Sequence, residues 1–214
     1  MKIIIIGAGL SGLTTALALQ KYIQPQLPDD ETLEIQIYDE APIRTPGEIE
    51  YSWRDHSDIR RDQQQQQQKE DEGGGKKRRN HGAAISLQPN AFKVLRELDR
   101  DLADRVYASG LPTEGFTWKS RGGWVLGRED LEAFLVSRPV VVRCLMDALS
   151  LRGTRVVYRT VRDVEIGEAK KPVVHFEDGG KDEVADLVVG ADGIRSPVRK
   201  SLFGNGEGVR PIYL

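Results

Sequence analysis

Four consecutive isoleucines at residues 3–6 predict a strand, and the apolar stretch that follows three spaced glycines predicts a helix opening at about residue 10. Residues 33–38 (LEIQIY) predict a second strand, and residues 82–87 (GAAISL) a short third one. Residues 89–98 have the period of a helix, with Ala91, Val94, Leu95 and Leu98 on one face, and residues 139–151 form a second amphipathic pattern with Pro139 suited to a first helical turn. Three closely spaced β-rich segments follow, 155–158, 161–166 and 173–176, with Asp178-Gly179-Gly180 as a turn; this spacing predicts an antiparallel meander. Residues 185–189 return to a buried apolar strand, whereas 110–123 are irregular and predict no element.

Residues 52–80 interrupt this pattern with six glutamines, three glycines and clustered charge of both signs. Such a stretch lacks the periodicity needed to bury surface and predicts a disordered insertion, because both flanks belong to one fold. Its run Lys76-Lys77-Arg78-Arg79 resembles a polyanion patch, but solvated charge in a loop is the simpler reading. A net charge of −2 over 214 residues favours neither nucleic acid nor an anionic membrane as partner. The single cysteine, Cys144, excludes an internal disulfide and shares a helical face with Val141 and Ala148, which predicts a core thiol. His56, His81 and His175 have no metal-ligand spacing, and no side chain stands out as an acid–base catalyst. The glycines interrupting the N-terminal apolar run argue against a signal peptide or a membrane span, so the expected location is intracellular, in the cytoplasm.

The candidate chemistry lies at the two ends of the chain. Gly7-x-Gly9-x-x-Gly12 joins the first strand to the first helix: Gly7 for the tight turn, Gly9 for close backbone approach to a pyrophosphate, Gly12 for helix–sheet packing. The N–H groups around Leu10 and Ser11 then face the phosphates, where the helix dipole favours negative charge. Asp39, at the tip of the second strand, is the expected acid for a ribose; it lies 27 residues after Gly12, against about 20 in the usual pattern. The polar loop 25–32 accounts for the excess, and Glu40 is the alternative acid. Near the C-terminus, ADLVVGADGIRSPVR (185–199) reads as a strand, a turn and a helix start, with Ser196 as cap and Pro197 in the first position. Asp192 is thereby held at the carboxyl end of a strand, where open α/β sheets bind ligands.

Together these blocks resemble the N-terminal half of group A FAD-dependent aromatic-ring monooxygenases, the class of salicylate and p-hydroxybenzoate hydroxylases. GAGLSG, IYDEAP, GAAISLQPNA and ADLVVGADGIRSPVR carry the resemblance, with Ala84 and Glu40 as departures from the usual residues. It implies an α/β fold: a Rossmann-like FAD-binding domain with a parallel sheet and a small antiparallel meander, built from 1–51 and 81–205. Residues 206–214 would open a substrate-domain region whose remainder, including the family's Gly-Asp motif, is missing. It also implies FAD as cofactor, bound through Gly7, Gly9, Leu10, Ser11, Gly12, Asp39, Glu40, Arg138 and Asp192, with NAD(P)H as a transient reductant. The reaction implied is hydroxylation of an aromatic or similar small organic molecule, with no nucleic-acid or membrane partner. The alternative is a non-catalytic nucleotide-binding remnant of such an enzyme.

Overall fold

A computed structural model describes residues 1–40, 84–166 and 171–204; the expected insertion at 52–80 and the segment 206–214 lie outside the described residues. A four-stranded parallel sheet has the order β12-β1-β2-β8, formed by Leu187–Gly190 (β12), Lys2–Ile6 (β1), Glu34–Asp39 (β2) and Val156–Tyr158 (β8). Helices cover one face: α1 (Leu10–Tyr22), α2 (Pro89–Leu98), α3 (Arg100–Ala108) and α4 (Arg138–Leu151). A meander, β9 (Val161–Ile166), β10 (Pro172–Phe176) and β11 (Glu183–Val184), covers the other with the short α5 (Pro197–Phe203).

The run of isoleucines does not alternate with polar residues because β1 is buried on both sides, as parallel sheets are. Ile3 and Ile5 enter the helical core with Leu13, Leu17 and Leu145; Ile4 and Ile6 enter the meander core with Val174 and Phe176. Each isoleucine so buried contributes about 1.5–3 kcal/mol. Cys144 belongs to the helical core, and burial pushes its thiol pKa up. On the meander side Tyr38 meets Phe176 edge to face at 4.8 Å, and the Arg159 guanidinium lies 3.6 Å from the Phe176 ring centroid. The Tyr38 hydroxyl donates to Glu183, which also accepts from Lys2 Nζ at 2.8 Å; burial, then this bond, pushes the phenol pKa up.

Several expectations need correction. Segment 155–158 is not part of the meander: β8 pairs in parallel with β2, and β11 completes the antiparallel sheet instead. Strand β12 lies at a sheet edge, so Leu187 is exposed rather than buried. On α2, Val94 faces solvent and Phe92 takes the core side, because its ring packs edge-on against Tyr107 and Phe134. Helix α3 is not among the expected elements; Asp99 caps it by accepting from Leu102 N–H at 2.9 Å, and Leu102, Ala103 and Val106 are its buried side. The irregular stretch contains β4 (Leu111–Thr113), which with β3 (Ala84–Leu87) flanks β7 (Ala133–Ser137), and β5 (Phe116–Lys119), which forms a separate hairpin with β6 (Val125–Glu129) just beyond it. That hairpin buries neither face: Trp124 is 80 % and Leu126 71 % exposed.

Candidate functional site

The carboxyl ends of β12, β1 and β2 bring the glycine loop, Asp39 and Asp192 to one edge of the parallel sheet. The turn after β1 is pinned on both sides, Gly7 N–H donating to Tyr38 O and Ala191 N–H to Ile6 O, each at 2.7 Å. Gly7 has φ +106°, and a Cβ there would lie 2.3 Å from Ala191 O; at Gly12 it would lie 1.9 Å from Gly7 O. Both glycines are demanded by the protein's own packing. Gly9 is different. It has extended backbone at the N-terminus of α1, and its added Cβ would meet only Arg138 Nη2, at 3.9 Å. Nothing in the packing requires a glycine there, so the bare backbone leaves room for a ligand.

The first turn of α1, with Leu10 partly buried and Ser11 exposed, has no side-chain cap and no acidic residue. Its N–H groups and the helix dipole therefore favour an anion. Arg138, the first residue of α4, reaches over this turn and has no carboxylate within ion-pair distance among the described residues. A shallow depression of about 440 Å³ runs along α1 from Leu10 and Ser11 past Thr14, Thr15 and Ala18, without reaching Asp39 or Arg138.

Asp39 ends β2, and its Oδ2 accepts the Ala8 N–H at 2.6 Å, tying the strand tip to the glycine loop. Glu40, the next residue, is exposed. Asp192 Oδ2 accepts Val198 N–H at 3.1 Å, while Ser196 Oγ accepts Arg199 N–H at 2.9 Å, so both residues cap α5. Pro197 takes the first helical position, and Gly193 has φ +77°. The strand–turn–helix corner therefore gives the acid at 192 a structural duty, and Asp39 and Asp192 both hold local backbone in place. Sequence reading missed Tyr158, which pairs in register with Asp39 on β8; assigning its segment to the meander hid it. No group of three or more His, Cys, Asp or Glu among the described residues could hold a metal, and none of their helices is long and apolar enough to cross a membrane.

The geometry fits a pyrophosphate-bridged nucleotide: an open backbone cradle, a guanidinium with no carboxylate partner among the described residues, and a strand-end acid. Comparisons with known proteins agree. The chain is 27 % identical over 224 residues to zeaxanthin epoxidase of Spinacia oleracea, covering 100 % of this chain and 27 % of that protein. It is 25 % identical over 213 residues to 3-amino-4-hydroxybenzoate 2-monooxygenase of Streptomyces cremeus, covering 94 % of this chain and 42 % of that protein. The chain thus spans less than half the length of these relatives. Its fold matches a putative FAD-containing monooxygenase from Photorhabdus luminescens, with TM-score 0.62, 20 % identity and coverage of 94 % of this chain and 41 % of that one. It also matches 2,6-dihydroxypyridine-3-hydroxylase from Arthrobacter nicotinovorans, with TM-score 0.60, 20 % identity and coverage of 95 % and 39 %. The family model described as FAD binding domain matches residues 76–213, and the chain belongs to that family.

Proposed function

We propose that this chain forms the FAD-binding part of an NAD(P)H-dependent monooxygenase that hydroxylates an aromatic or similar small organic substrate. The observation that carries the reading is the asymmetry of the three glycines: two are required by packing, and Gly9 alone is kept bare over an uncapped helix start. The N–H groups of Leu10 and Ser11 and the Arg138 guanidinium would hold the pyrophosphate, and Asp39 would accept the ribose hydroxyls. Asp192, Gly193 and α5 would shape the far side of the cradle. When bound, FAD supplies the redox chemistry, passing electrons from NAD(P)H to dioxygen; the chain's own residues bind and orient it.

Asp39→Asn separates the two duties of that carboxylate. The amide oxygen can still accept the Ala8 N–H, but its –NH₂ cannot accept from a ribose. Loss of the ribose bonds should weaken FAD binding by about 1–3 kcal/mol with the fold retained, read by flavin fluorescence titration. Unchanged affinity would move the ribose role to Glu40. Activity is read as NAD(P)H oxidation with added FAD across a panel of phenolic and heteroaromatic substrates. A second reading, nucleotide binding without turnover, draws on the open faces of the β5–β6 hairpin. FAD bound stoichiometrically, with no NAD(P)H oxidation on any substrate, would select it.

A further inference from the structure

A carboxylate that takes a sugar hydroxyl must be held within about 0.5 Å of its productive place. The Asp39 side chain is held by the Ala8 N–H, but its backbone is the last residue of β2. The corner between β8 and β9 secures that end: Arg159 N–H donates to Asp39 O at 2.9 Å. We propose that Arg159 is a positioning residue for the nucleotide site, fastening the Asp39 end of β2 to the Asp178-Gly179-Gly180 turn of the meander. This rests on the reading of Asp39 as the acid for the ribose.

The guanidinium grips the turn with two bonds, Arg159 Nε donating to Asp178 Oδ2 at 2.7 Å and Nη2 to Oδ1 at 2.8 Å. Pairing of a planar fork with a carboxylate fixes direction as well as distance. The same guanidinium lies over the Phe176 ring, 3.6 Å from its centroid, and Phe176 in turn meets Tyr38, the residue before Asp39. Gly180 N–H donates to Asp178 Oδ1 at 2.9 Å, and a Cβ at Gly180 would displace Arg159 Nη2, so bare backbone there admits the fork. Next to it, Glu177 N–H donates to Thr160 O at 3.0 Å, and the corner 159–160 is thus tied to the meander by backbone and side chain together. An exposed ion pair ordinarily contributes little. This one differs in its bidentate geometry, in the ring beneath it and in an Arg159 side chain only 22 % exposed. The fork, then the Gly180 N–H, holds the Asp178 carboxyl down to about 2, so the pair stays charged across neutral pH.

The test is calorimetric titration of ADP and of inorganic pyrophosphate into the 214-residue chain and its variants. Pyrophosphate carries no ribose, so it reads the phosphate cradle without Asp39. Arg159→Gln removes the fork and should weaken ADP about 2- to 30-fold, the range in which residues outside a site tune it, while pyrophosphate binds as it does to the parent. Added to Asp39→Asn, Arg159→Gln should weaken ADP no further, because a residue that acts through Asp39 then has nothing left to position. Asp178→Ala, on the exposed turn, should reproduce the ADP-specific loss and decides the outcome should Arg159→Gln not fold. Unchanged ADP affinity in either folded variant, an equal loss for pyrophosphate, or a loss that adds in full to that of Asp39→Asn overturns the positioning role and leaves the ribose reading standing. An Asp39→Asn chain that binds ADP like the parent, or a parent that binds no ADP, overturns the ribose reading and the positioning role with it.

Discussion

Gly9→Ala tests whether the glycine loop is a cradle or merely a turn. Backbone at Gly9, φ −75° and ψ −175°, is open to alanine, and the new methyl would touch only the tip of Arg138 at 3.9 Å. Alanine is a poorer helix cap than glycine by roughly 0.5–1 kcal/mol, but it also restricts the unfolded chain, which returns about 0.4–1 kcal/mol. The two effects nearly cancel, so urea unfolding should shift by no more than about 0.5 kcal/mol. Binding should suffer much more, because the methyl occupies the space the pyrophosphate needs. Overpacking of that size costs about 1–3 kcal/mol, which corresponds to a roughly 5- to 150-fold rise in the FAD Kd. Gly12→Ala is the control: its methyl would lie 1.9 Å from Gly7 O and 3.3 Å from Ala191 Cβ, and backbone must move. That variant should lose about 3 kcal/mol or more of stability. A Gly9→Ala protein that binds FAD like the parent, or that unfolds like Gly12→Ala, refutes the distinction between the two glycines.

Further outcomes follow from the same contacts. Asp192→Ala should cost about 0.5–2 kcal/mol of stability by uncapping Val198 N–H, while Asp192→Asn, which keeps an acceptor, should cost less; equal loss in chemical denaturation would show that the cap is not the reason. Burial of the His175 ring lowers its pKa, but Asp182 at 2.8 Å from Nδ1, with Asp163 and Glu165 about Nε2, outweighs this and raises it above its ordinary 6.5. The folded state then holds a proton more tightly than the unfolded state, so this stabilisation is complete below about pH 6.5 and fades as pH rises through the folded pKa. Thermal unfolding of the parent should converge on that of His175→Gln at alkaline pH; a pH-independent difference between them would contradict the assignment.

Legibility in the sequence tracked the range of the interaction. The glycine loop, Ser196, Pro197 and the Asp178-Gly179-Gly180 turn are local devices, and each stands where its residues indicate, with Gly179 at φ +67° and Gly180 N–H on Asp178 Oδ1. Strand β8 was misread because the short step from Tyr158 to Val161 looks like a tight turn between antiparallel strands, whereas its real partner, β2, lies more than a hundred residues away. Helix α3 carries a readable signal in Asp99, Leu102, Ala103 and Val106, diluted by four other charges, Arg100, Asp101, Asp104 and Arg105. The β5–β6 hairpin gave none, because a strand exposed on both faces has no period to detect. The sequence points Asp192 at a ligand, and the structure shows it capping a helix; the two duties use the same acceptor chemistry, so residue type alone cannot separate them.

Charge sorts the edge of the sheet into subsites. At the end of β1 the local field is positive, from the uncapped turn of α1 and the Arg138 guanidinium, and this is the part of the edge that suits phosphate. On either side stands a carboxylate, Asp39 at the end of β2 and Asp192 after β12, and each accepts a backbone N–H of a neighbouring loop or helix start. Two acids beside a phosphate site would repel the ligand if they faced it directly. Holding them on Ala8 and Val198 offsets part of their charge and, in the proposed site, would present a carboxylate oxygen to a hydroxyl donor such as a sugar's. The hydrogen bonds that stabilise the loops would therefore also let acids and a phosphate share one sheet edge, as the proposed site requires. For this reason Asp39→Asn and Asp192→Asn separate binding from folding more cleanly than the alanine variants do.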